Sequence, residues 1–333
     1  MIFAVSFFEI LSRMHLMRAI GIDFGGTSVK IGLCDGEEIV EKMPRIPTDD
    51  YGSREDLIDA IVAQIEDLKA RFPGIVGVGV GVPGNVDYPT GRIHELTNVS
   101  GWVNVPFRDI LQERTGLVAA LDNDANCMAY AEWRVGAGQG SDHLLAITMG
   151  TGVGGGLVID GKFCRGAASV AAEVGQMSLD YAGRVGVYGN KGCTEKYIGN
   201  AQVEELAMNL YKQRSVKEGG AMPDPSMCEP KALADAARDG DEVAIEVWGK
   251  VAEYLATTLC NVCWLVNPDR IVIGGGLAGA GELLFSPLRA HMKDQLSNTH
   301  YQSMKIVPAK FGNDAGMIGA AMEAADRWKE QQG

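Results

Sequence analysis

Two segments of this chain share one pattern: an apolar run, a turn rich in glycine and threonine, and a second apolar run. The first turn is Asp23-Phe24-Gly25-Gly26-Thr27-Ser28, and the second is Gly150-Thr151-Gly152. Apolar runs on both sides predict a hairpin of two strands rather than a strand that leads into a helix. Because the same pattern occurs twice, the chain is expected to contain two related α/β halves.

Helical and extended patterns alternate along the rest of the chain. Apolar residues at positions 57, 58, 61, 62, 65 and 68 form a helical stripe, and Ser53 before it is a good N-cap residue. Ile75–Val82 alternates valine with glycine, which predicts a strand with one bare face for close packing. Strands that alternate with helices indicate an α/β fold of two domains with a cleft between them.

Composition narrows the class of protein. The 333 residues are enough for two domains, and a hydrophobic share of 46% with 22% charged residues excludes wholesale disorder. Acidic residues outnumber basic ones 43 to 30, giving a net charge of -13, which disfavours a nucleic-acid binder because such proteins present a basic face. Seven scattered cysteines predict free thiols in a reducing cytoplasm.

The first sixteen residues, MIFAVSFFEILSRMHL, match no targeting segment. Their apolar run is shorter than the roughly 20 residues that span a bilayer, and it lacks a basic start and a small-residue cleavage site. We therefore expect no secretion signal and no membrane anchor. Residues 1–17 are interpreted as an extra N-terminal segment from a start-site error upstream of Met17, with a short extra helix as the alternative.

Both glycine-rich turns suit a phosphate group. Glycine allows backbone N–H groups to approach a phosphate with no Cβ in the way, and Asp23 at a strand end can hold a hydrated Mg²⁺. Neither turn matches the Walker or dinucleotide-binding motif, and either one alone could be a plain tight hairpin. Together with a third glycine-rich strand end, Gly274–Gly276, they favour one nucleotide held from both sides of a cleft.

A polar segment, Asp122-Asn123-Asp124-Ala125-Asn126, lies between a predicted strand and a predicted helix. Aspartate and asparagine both cap helices well, so one interpretation is purely structural. The functional interpretation makes Asp124 a general base that the helix N-terminus keeps ionised, with Asn123 bonded to a neighbouring hydroxyl. A carboxylate is too weak to deprotonate a free alcohol, so it would accept the proton late in phosphoryl transfer.

A set of motifs in this order from about residue 18 to 325 resembles the ROK family of repressors, open reading frames and sugar kinases. The motifs are DFGGTS, GVPG (81–84), LTNVSGW (96–102), DNDAN, MGTGVGGG, AEVGQ (172–176), GCTE (192–195) and IGGG. By these motifs the nearest members are glucokinases. The resemblance implies a two-domain, actin-like ATPase (ribonuclease H-like) α/β fold whose domains close on ATP and sugar. We expect a small domain of residues 18–122 plus 313–331 and a large domain of residues 123–312.

The resemblance also implies an activity and a site: ATP-dependent phosphorylation of a hexose at its 6-hydroxyl, most simply of glucose, by a cytoplasmic homodimer that uses Mg²⁺. Asp124 matches the family's catalytic base. The residues that match the phosphate and adenosine motifs are Asp23, Gly25, Gly26, Thr27, Gly150, Thr151, Gly152, Gly274, Gly275 and Gly276. The residues at sugar-contacting positions are Gly84, Asn98, Asn123, Asp124, Glu173, Gln176 and Glu195.

The chain departs from the family pattern at a zinc site. Family members commonly carry ExGH followed by CxCGxxGCxE, whose histidine and three cysteines bind a structural zinc. Here Gln176 stands at the histidine position, Gly186 and Tyr188 stand at two cysteine positions, and Cys193 alone remains. Because tetrahedral zinc needs four nitrogen or sulfur ligands, we expect no zinc. The family's histidine also approaches the sugar, so Gln176 either alters specificity or is a plain polar loop residue.

Other functions compete with glucose phosphorylation. The sugar could be mannose, fructose or an N-acetylhexosamine. A sugar-sensing repressor, the other branch of the family, would carry a DNA-binding domain before the first phosphate motif, whereas 22 residues precede Asp23. A sugar-binding sensor without turnover is disfavoured by the intact Asp124 and both turns. A polyphosphate donor would call for a basic patch, which the net charge of -13 disfavours.

Overall fold

The computed structural model describes residues 17–96, 99, 101–218 and 224–333. These residues divide into two compact units, each with its own hydrophobic core. The first unit takes the described residues up to Ala131 together with Asp314–Gly333, and the second takes Glu132–Asn313. Within the described ranges, no helix is both long and apolar enough to cross a membrane.

The secondary structure follows the alternating pattern of the sequence. The strands are β1 Arg18–Phe24, β2 Ser28–Asp35, β3 Glu38–Lys42, β4 Ile46–Pro47, β5 Gly77–Val82, β6 Gly84–Asp87, β7 Arg92–Leu96, β8 Val103–Val105, β9 Val118–Asn123, β10 Leu144–Met149, β11 Val153–Ile159, β12 Lys162–Cys164, β13 Arg270–Gly274 and β14 Lys305–Pro308. The α-helices are α1 Arg54–Arg71, α2 Phe107–Thr115, α3 Asp124–Arg134, α4 Glu195–Ile198, α5 Asn200–Glu218, α6 Pro230–Arg238, α7 Glu242–Val266, α8 Glu282–Gln295, α9 Asn298–Ser303 and α10 Ala315–Gln332.

Each unit contains a mixed sheet, and the two sheets have the same topology. The first has the order β3-β2-β1-β5-β9 and the second the order β12-β11-β10-β13-β14. In both, the first three strands are antiparallel and the last two run parallel to the third. The predicted internal repeat is therefore confirmed. Each glycine-rich turn joins the two strands of an antiparallel hairpin, β1 and β2 in the first sheet and β10 and β11 in the second, as the sequence predicted.

Local sequence explains why α1 begins where it does. The Ser53 side chain accepts a hydrogen bond from the backbone N–H of Asp56, so Ser53 is the N-cap that the sequence predicted. The six apolar positions of the predicted stripe are the buried residues of this helix. Burial of such a stripe, more than intrinsic propensity, stabilises a helix of this length in a protein.

Alternate glycines let α10 lie directly on the first sheet. At Gly79 in β5, a Cβ atom would overlap the backbone carbonyl oxygen of Ala320 in α10, and at Gly21 in β1 it would overlap that of Met317. The bare strand face predicted from the valine–glycine alternation is therefore confirmed, and a helix backbone covers it. This contact leaves no room for even one methyl group.

Three aromatic rings fix the base of the first glycine-rich turn. Phe24, at the end of β1, contacts Trp102 edge-to-face with ring centroids 5.0 Å apart, and Trp102 contacts Phe107 in the same way at 4.9 Å. All three side chains are buried. Edge-to-face pairs of this kind contribute about 0.5–1.5 kcal/mol each beyond burial, so the strand end is held in one place.

The core of the second unit surrounds α7, which ends at Val266, directly before Asn267-Pro268. Cys260 and Cys263 are buried in this helix, and burial raises the pKa of their thiols to about 11 and about 12. Thiols with such a pKa stay protonated near neutral pH, so they pack as small apolar side chains.

Candidate active site

The first glycine-rich turn lies between β1 and β2 and is held by backbone bonds. The N–H of Gly25 donates to the carbonyl of Ser28 at 3.0 Å, and the N–H of Thr48 donates to the carbonyl of Thr27 at 3.1 Å. The Thr48 hydroxyl donates to the carbonyl of Gly26 at 2.8 Å. Apart from the N–H of Gly25, these bonds use carbonyl oxygens of the turn, so the N–H groups of Gly26 and Thr27 are the part suited to an anion.

Asp23, the predicted Mg²⁺ ligand beside this turn, forms an ion pair that sequence analysis missed. The Nζ atom of Lys30 donates to its Oδ2 atom at 2.5 Å, and both side chains are partly buried. Residues 23 and 30 face each other in the β1–β2 register. The spacing of seven residues across a hairpin was the signal that could have identified Lys30, because directly opposed side chains in a sheet interact.

Asp124, the predicted general base, is the first residue of α3. Its Oδ1 atom accepts a hydrogen bond from the backbone N–H of Ala125 at 2.8 Å. The neighbouring Asn123 also binds these exposed backbone donors, since its Oδ1 atom accepts from Ala125 at 2.9 Å and from Asn126 at 3.3 Å. The N–H groups of the first helical turn, which have no partner within the helix, therefore point toward carboxylate and amide oxygens.

Two of the residues at predicted sugar-contacting positions lie side by side. The Nδ2 atom of Asn123 donates to the carbonyl of Gly84 at 3.2 Å, so the amide is anchored to the start of β6. Gly84 adopts a φ of 125°, which favours glycine. Asn98, a third member of this predicted set, lies outside the described residues.

The first turn and Asp124 meet at the N-terminus of α10. A Cβ atom built on Gly316 would lie 3.8 Å from Oδ1 of Asp23 and 4.0 Å from the backbone oxygen of Asp124. Both residues therefore border the same small space within the first unit. Sequence analysis did not single out Gly316, since an isolated glycine in an alanine-rich helix carries no distinguishing pattern.

The second glycine-rich turn, Gly150–Gly152, contacts a carboxylate from 42 positions further along the chain. Oε2 of Glu195 accepts a hydrogen bond from the backbone N–H of Val153 at 3.0 Å, and a Cβ atom on Gly152 would lie 2.6 Å from the same oxygen. Glycine at position 152 is thus needed for this approach. Glu195, which was assigned to the sugar from the sequence, lies against the phosphate turn of its own unit.

The predicted adenosine-side glycines lie next to the same turn. Gly274 ends β13, which pairs in parallel with β10 and places Gly274 opposite Thr148. Gly275 has a φ of 84°, and a Cβ atom there would overlap the backbone of Met149 at the end of β10. The structure therefore brings Gly274–Gly276 and Gly150–Gly152 together at the carboxyl ends of two neighbouring strands, where α/β sheets bind ligands.

Glu173 and Glu195 interact electrostatically within the second unit. The Glu173 side chain keeps exposed surface, yet the protein around its carboxyl group reduces hydration. This desolvation raises the pKa of Glu173, and the negative charge of Glu195 raises it further. A carboxyl group with a raised pKa near a second carboxylate is typical of a functional site, since folding alone gains nothing from the pair.

Replacing Glu173 with glutamine is expected to raise the Tm at pH 8. A folded-state pKa above the unfolded value means that ionised Glu173 destabilises the fold, and this cost disappears as pH falls through the raised pKa. The gain of Glu173→Gln over wild type should therefore shrink when scanning calorimetry is repeated below the ordinary glutamate pKa of 4.5. Glu229→Gln at an exposed position is the control. A Tm difference that does not change with pH would contradict the expectation.

The four positions of the family's zinc site do not fit a zinc ion. Cys193 offers one buried thiol, whereas Tyr188 is 75% exposed and Gly186 has no side chain. A Cβ atom on Gly186 would lie 2.7 Å from Sγ of Cys193 and would overlap Oδ1 of Asn190. The loop therefore brings positions 186 and 193 together, but the carboxamide of Asn190 takes the volume of the missing ligand. Among the side chains that the structure describes, no three or more His, Cys, Asp or Glu residues are grouped to hold a metal.

Comparisons with known proteins agree with these observations. Residues 19–327 match the ROK family. The glucokinase of Thermotoga maritima is 33% identical over 319 residues, which cover 94% of this chain and 99% of that protein. The crystal structure of a ROK family glucokinase from Streptomyces griseus in complex with glucose and AMPPNP is 31% identical with a TM-score of 0.77, covering 93% of this chain and 99% of that one. A xylose repressor of Caldicellulosiruptor bescii is 30% identical, with 92% of this chain and 78% of the repressor covered.

Proposed function

The chain belongs to the ROK family, and we propose that it phosphorylates glucose at the 6-hydroxyl with ATP as the donor. Its α/β fold is that of the actin-like ATPases. Glucokinases at 31–33% identity over most of the chain support a hexose kinase, and the relative solved with glucose and AMPPNP supports a nucleoside triphosphate as the donor. The observation that carries the proposal is the meeting of Asp124 with the Asp23 turn around Gly316.

Asp124 has the role of general base in this proposal. Its carboxylate begins a helix, whose N-terminal partial positive charge favours an anion there, and this carboxylate is assigned to accept the proton of the sugar's 6-hydroxyl. The proton moves late, when the oxygen–phosphorus bond is partly formed and the hydroxyl has become acidic. Most of the acceleration then comes from positioning the two reactants and stabilising charge.

The phosphates of ATP are assigned to the two glycine-rich turns. In the first unit these residues are Asp23, Gly25, Gly26 and Thr27, and in the second they are Gly150, Thr151, Gly152 and Gly274–Gly276. Mg²⁺ is usually held by one or two carboxylates together with phosphate oxygens and waters, and a single carboxylate, Asp23, fits that requirement. When bound there, the ion neutralises charge on the transferring phosphate. Lys30 holds Asp23 in place and adds a positive charge beside the turn.

The sugar is assigned to polar groups that match a polyol. These groups are Gly84, Asn98 and Asn123 in the first unit and Glu173, Gln176 and Glu195 in the second. Carboxylate and amide oxygens accept hydrogen bonds from vicinal hydroxyls, and a wrong epimer leaves such groups unpaired. Gln176 can donate and accept a hydrogen bond but carries no charge, so it is the residue most expected to shift preference among hexoses.

In the cell, we propose that the protein is a cytoplasmic homodimer that uses Mg²⁺ with ATP and holds no structural zinc. All seven cysteines are free thiols in the structure, which is compatible with a reducing compartment. The zinc positions supply one sulfur ligand, Cys193, where four ligands are needed.

ADP release with Mg-ATP across a sugar panel tests the proposed function. Glucose should give saturable turnover above mannose, fructose, N-acetylglucosamine, N-acetylmannosamine and allose. Xylose, which is glucose without its 6-hydroxymethyl group, should bind without being phosphorylated. Turnover with another hexose in place of glucose would make that hexose the substrate. Turnover with polyphosphate and not with ATP would make polyphosphate the phosphate donor. Glucose binding without turnover on any donor would contradict the kinase and favour a sugar sensor, the role that the relationship to the xylose repressor suggests.

A further inference from the structure

The loop of residues 177–193, here named the 177–193 loop, leads into α4 and packs on the core of the second unit near its two ends. Met177 packs against that core and Cys193 is buried, whereas the large apolar side chains in the middle of the loop are exposed: Tyr181 92%, Tyr188 75%, Val187 66% and Val185 62%. A loop of this length that buries so little apolar surface needs another restraint if it is to keep one conformation. The zinc that would supply this restraint in the family does not fit here.

Two short hydrogen-bonded segments organise the inside of the 177–193 loop. Ser178 pairs with Cys193 and Val185 pairs with Lys191 as isolated antiparallel bridges. The Nδ2 atom of Asn190 donates to the carbonyl of Gln176 at 2.8 Å, which ties the tip of the loop back to its beginning. These contacts hold the loop together internally, and a long bond of 3.5 Å from the Tyr197 hydroxyl to Oδ2 of Asp180 attaches it only weakly to α4.

Arg184 attaches the 177–193 loop to two helices. Its guanidinium forms a bidentate ion pair with Glu205 of α5, with Nη1–Oε2 at 2.7 Å and Nη2–Oε1 at 3.2 Å. It also donates to the carbonyl of Lys196 in α4 at 3.3 Å and lies over the Tyr197 ring at 5.7 Å. The backbone N–H of Arg184 donates to the Tyr197 hydroxyl at 3.2 Å, so Arg184 contacts α4 through both its side chain and its backbone.

The same helix positions Glu195. α4 has only four residues, Glu195–Ile198, so the contacts of Arg184 with Lys196 and Tyr197 lie one and two positions from Glu195. Glu195 in turn accepts the hydrogen bond from Val153 at the end of the second glycine-rich turn. A contiguous set of contacts therefore runs from Arg184 through α4 to the carboxylate.

We propose that Arg184 is a positioning residue that does for the 177–193 loop what a bound zinc does in the family, and thereby fixes Glu195 for the sugar. The inference rests on the proposed sugar-binding role of Glu195. Arg184 and Glu205 are 46% and 51% exposed, and an exposed ion pair adds little to overall stability, although bidentate geometry fixes the orientation of the guanidinium. We therefore expect the loss of Arg184 to displace α4 and to change the free energy of unfolding of the unit only slightly.

The test compares Arg184→Ala, Arg184→Lys and Glu205→Gln with wild type in the full chain. Lys231→Ala is the matched control, because Lys231 forms an exposed ion pair with Asp235 at 2.9 Å in the same unit. Arg184→Ala should raise KM for glucose by about tenfold with kcat and KM for ATP within about twofold, the size expected when a hydrogen bond from the sugar to a charged group is weakened. Glu205→Gln should change KM in the same direction, and Arg184→Lys should restore part of the loss.

Two readouts separate this inference from the proposed function. The Kd for glucose is measured by titration calorimetry, so a protein that binds glucose without turnover contradicts the kinase but still reports on Arg184. Hydrogen exchange at the Val153 N–H needs no ligand, and it should become faster in Arg184→Ala because the Glu195 acceptor is less well held. Metal analysis of the purified wild type should find far less than one zinc per chain.

Three results would overturn the role of Arg184. The first is a glucose KM and Kd in Arg184→Ala within twofold of wild type, together with unchanged exchange at Val153. The second is an equal change in the Lys231→Ala control. The third is stoichiometric zinc in the wild type whose removal by a chelator, followed by return of Mg²⁺, raises KM for glucose as much as Arg184→Ala does.

Discussion

Replacing Asp124 with asparagine is expected to lower kcat by about 10²–10⁴-fold, the usual contribution of a positioned general base. Asparagine keeps the Oδ1 atom that accepts the Ala125 N–H, so the start of α3 should be preserved. What is lost is the anionic oxygen that takes the proton of the 6-hydroxyl. Steady-state kinetics with glucose and Mg-ATP measures the effect, and the KM values for both substrates should change by less than about threefold.

Two controls make the Asp124→Asn result interpretable. Asp109→Asn, at an exposed position in α2 of the same unit, should leave kcat unchanged. The Tm of Asp124→Asn should remain near that of wild type, which excludes unfolding as the cause. A kcat within tenfold of wild type would show that the base is another group and would contradict the role given to Asp124.

Replacing Gly79 with alanine is expected to lower the free energy of unfolding by about 3 kcal/mol or more, at the upper end of overpacking effects. The added methyl group would overlap the carbonyl oxygen and carbonyl carbon of Ala320 and would lie in tight contact with its Cα. All three atoms belong to the backbone of α10, so no side-chain rotation can relieve the overlap and the whole helix must move. Because α10 also carries Gly316 beside Asp23 and Asp124, activity should fall with stability.

Gly52→Ala is the matched control for this packing effect. Gly52 belongs to the same unit, its φ lies outside the positive range, and a Cβ atom there would meet nothing within 4 Å. Alanine at such a position restricts the unfolded chain and should leave stability unchanged or raise it by up to about 1 kcal/mol. Urea midpoints followed by circular dichroism measure both variants. A Gly79→Ala midpoint equal to wild type would contradict the direct contact of α10 with the sheet.

Features that depend on neighbouring residues were predictable from the sequence. The hairpin at the Asp23 turn, the Ser53 cap of α1 and the bare face of β5 follow from turn chemistry, capping and alternation. The small sheet of β6, β7 and β8 was not predicted, because its strands have only three to five residues and carry little periodic signal.

Contacts between distant residues were not predictable in the same way. Glu195 meets the N–H of Val153 across 42 positions, and buried Glu132 accepts from the backbone N–H of Lys310 across 178 positions. The GCTE motif marks Glu195 as a sugar-contacting position, but nothing in the local sequence of either glutamate identifies its backbone partner. Such partners are fixed only when the sheets and helices of a unit pack, so they require the structure.

The position of the phosphate on the product tests the central claim most directly. Glucose, Mg-ATP and the wild-type enzyme are allowed to react, and the product is examined by phosphorus–proton correlation NMR. The account predicts one phosphate ester, coupled to the two protons on carbon 6, with one ADP formed per ester. An ester at another carbon, or ADP with inorganic phosphate and no ester, would contradict a kinase in which Asp124 takes the proton from the 6-hydroxyl.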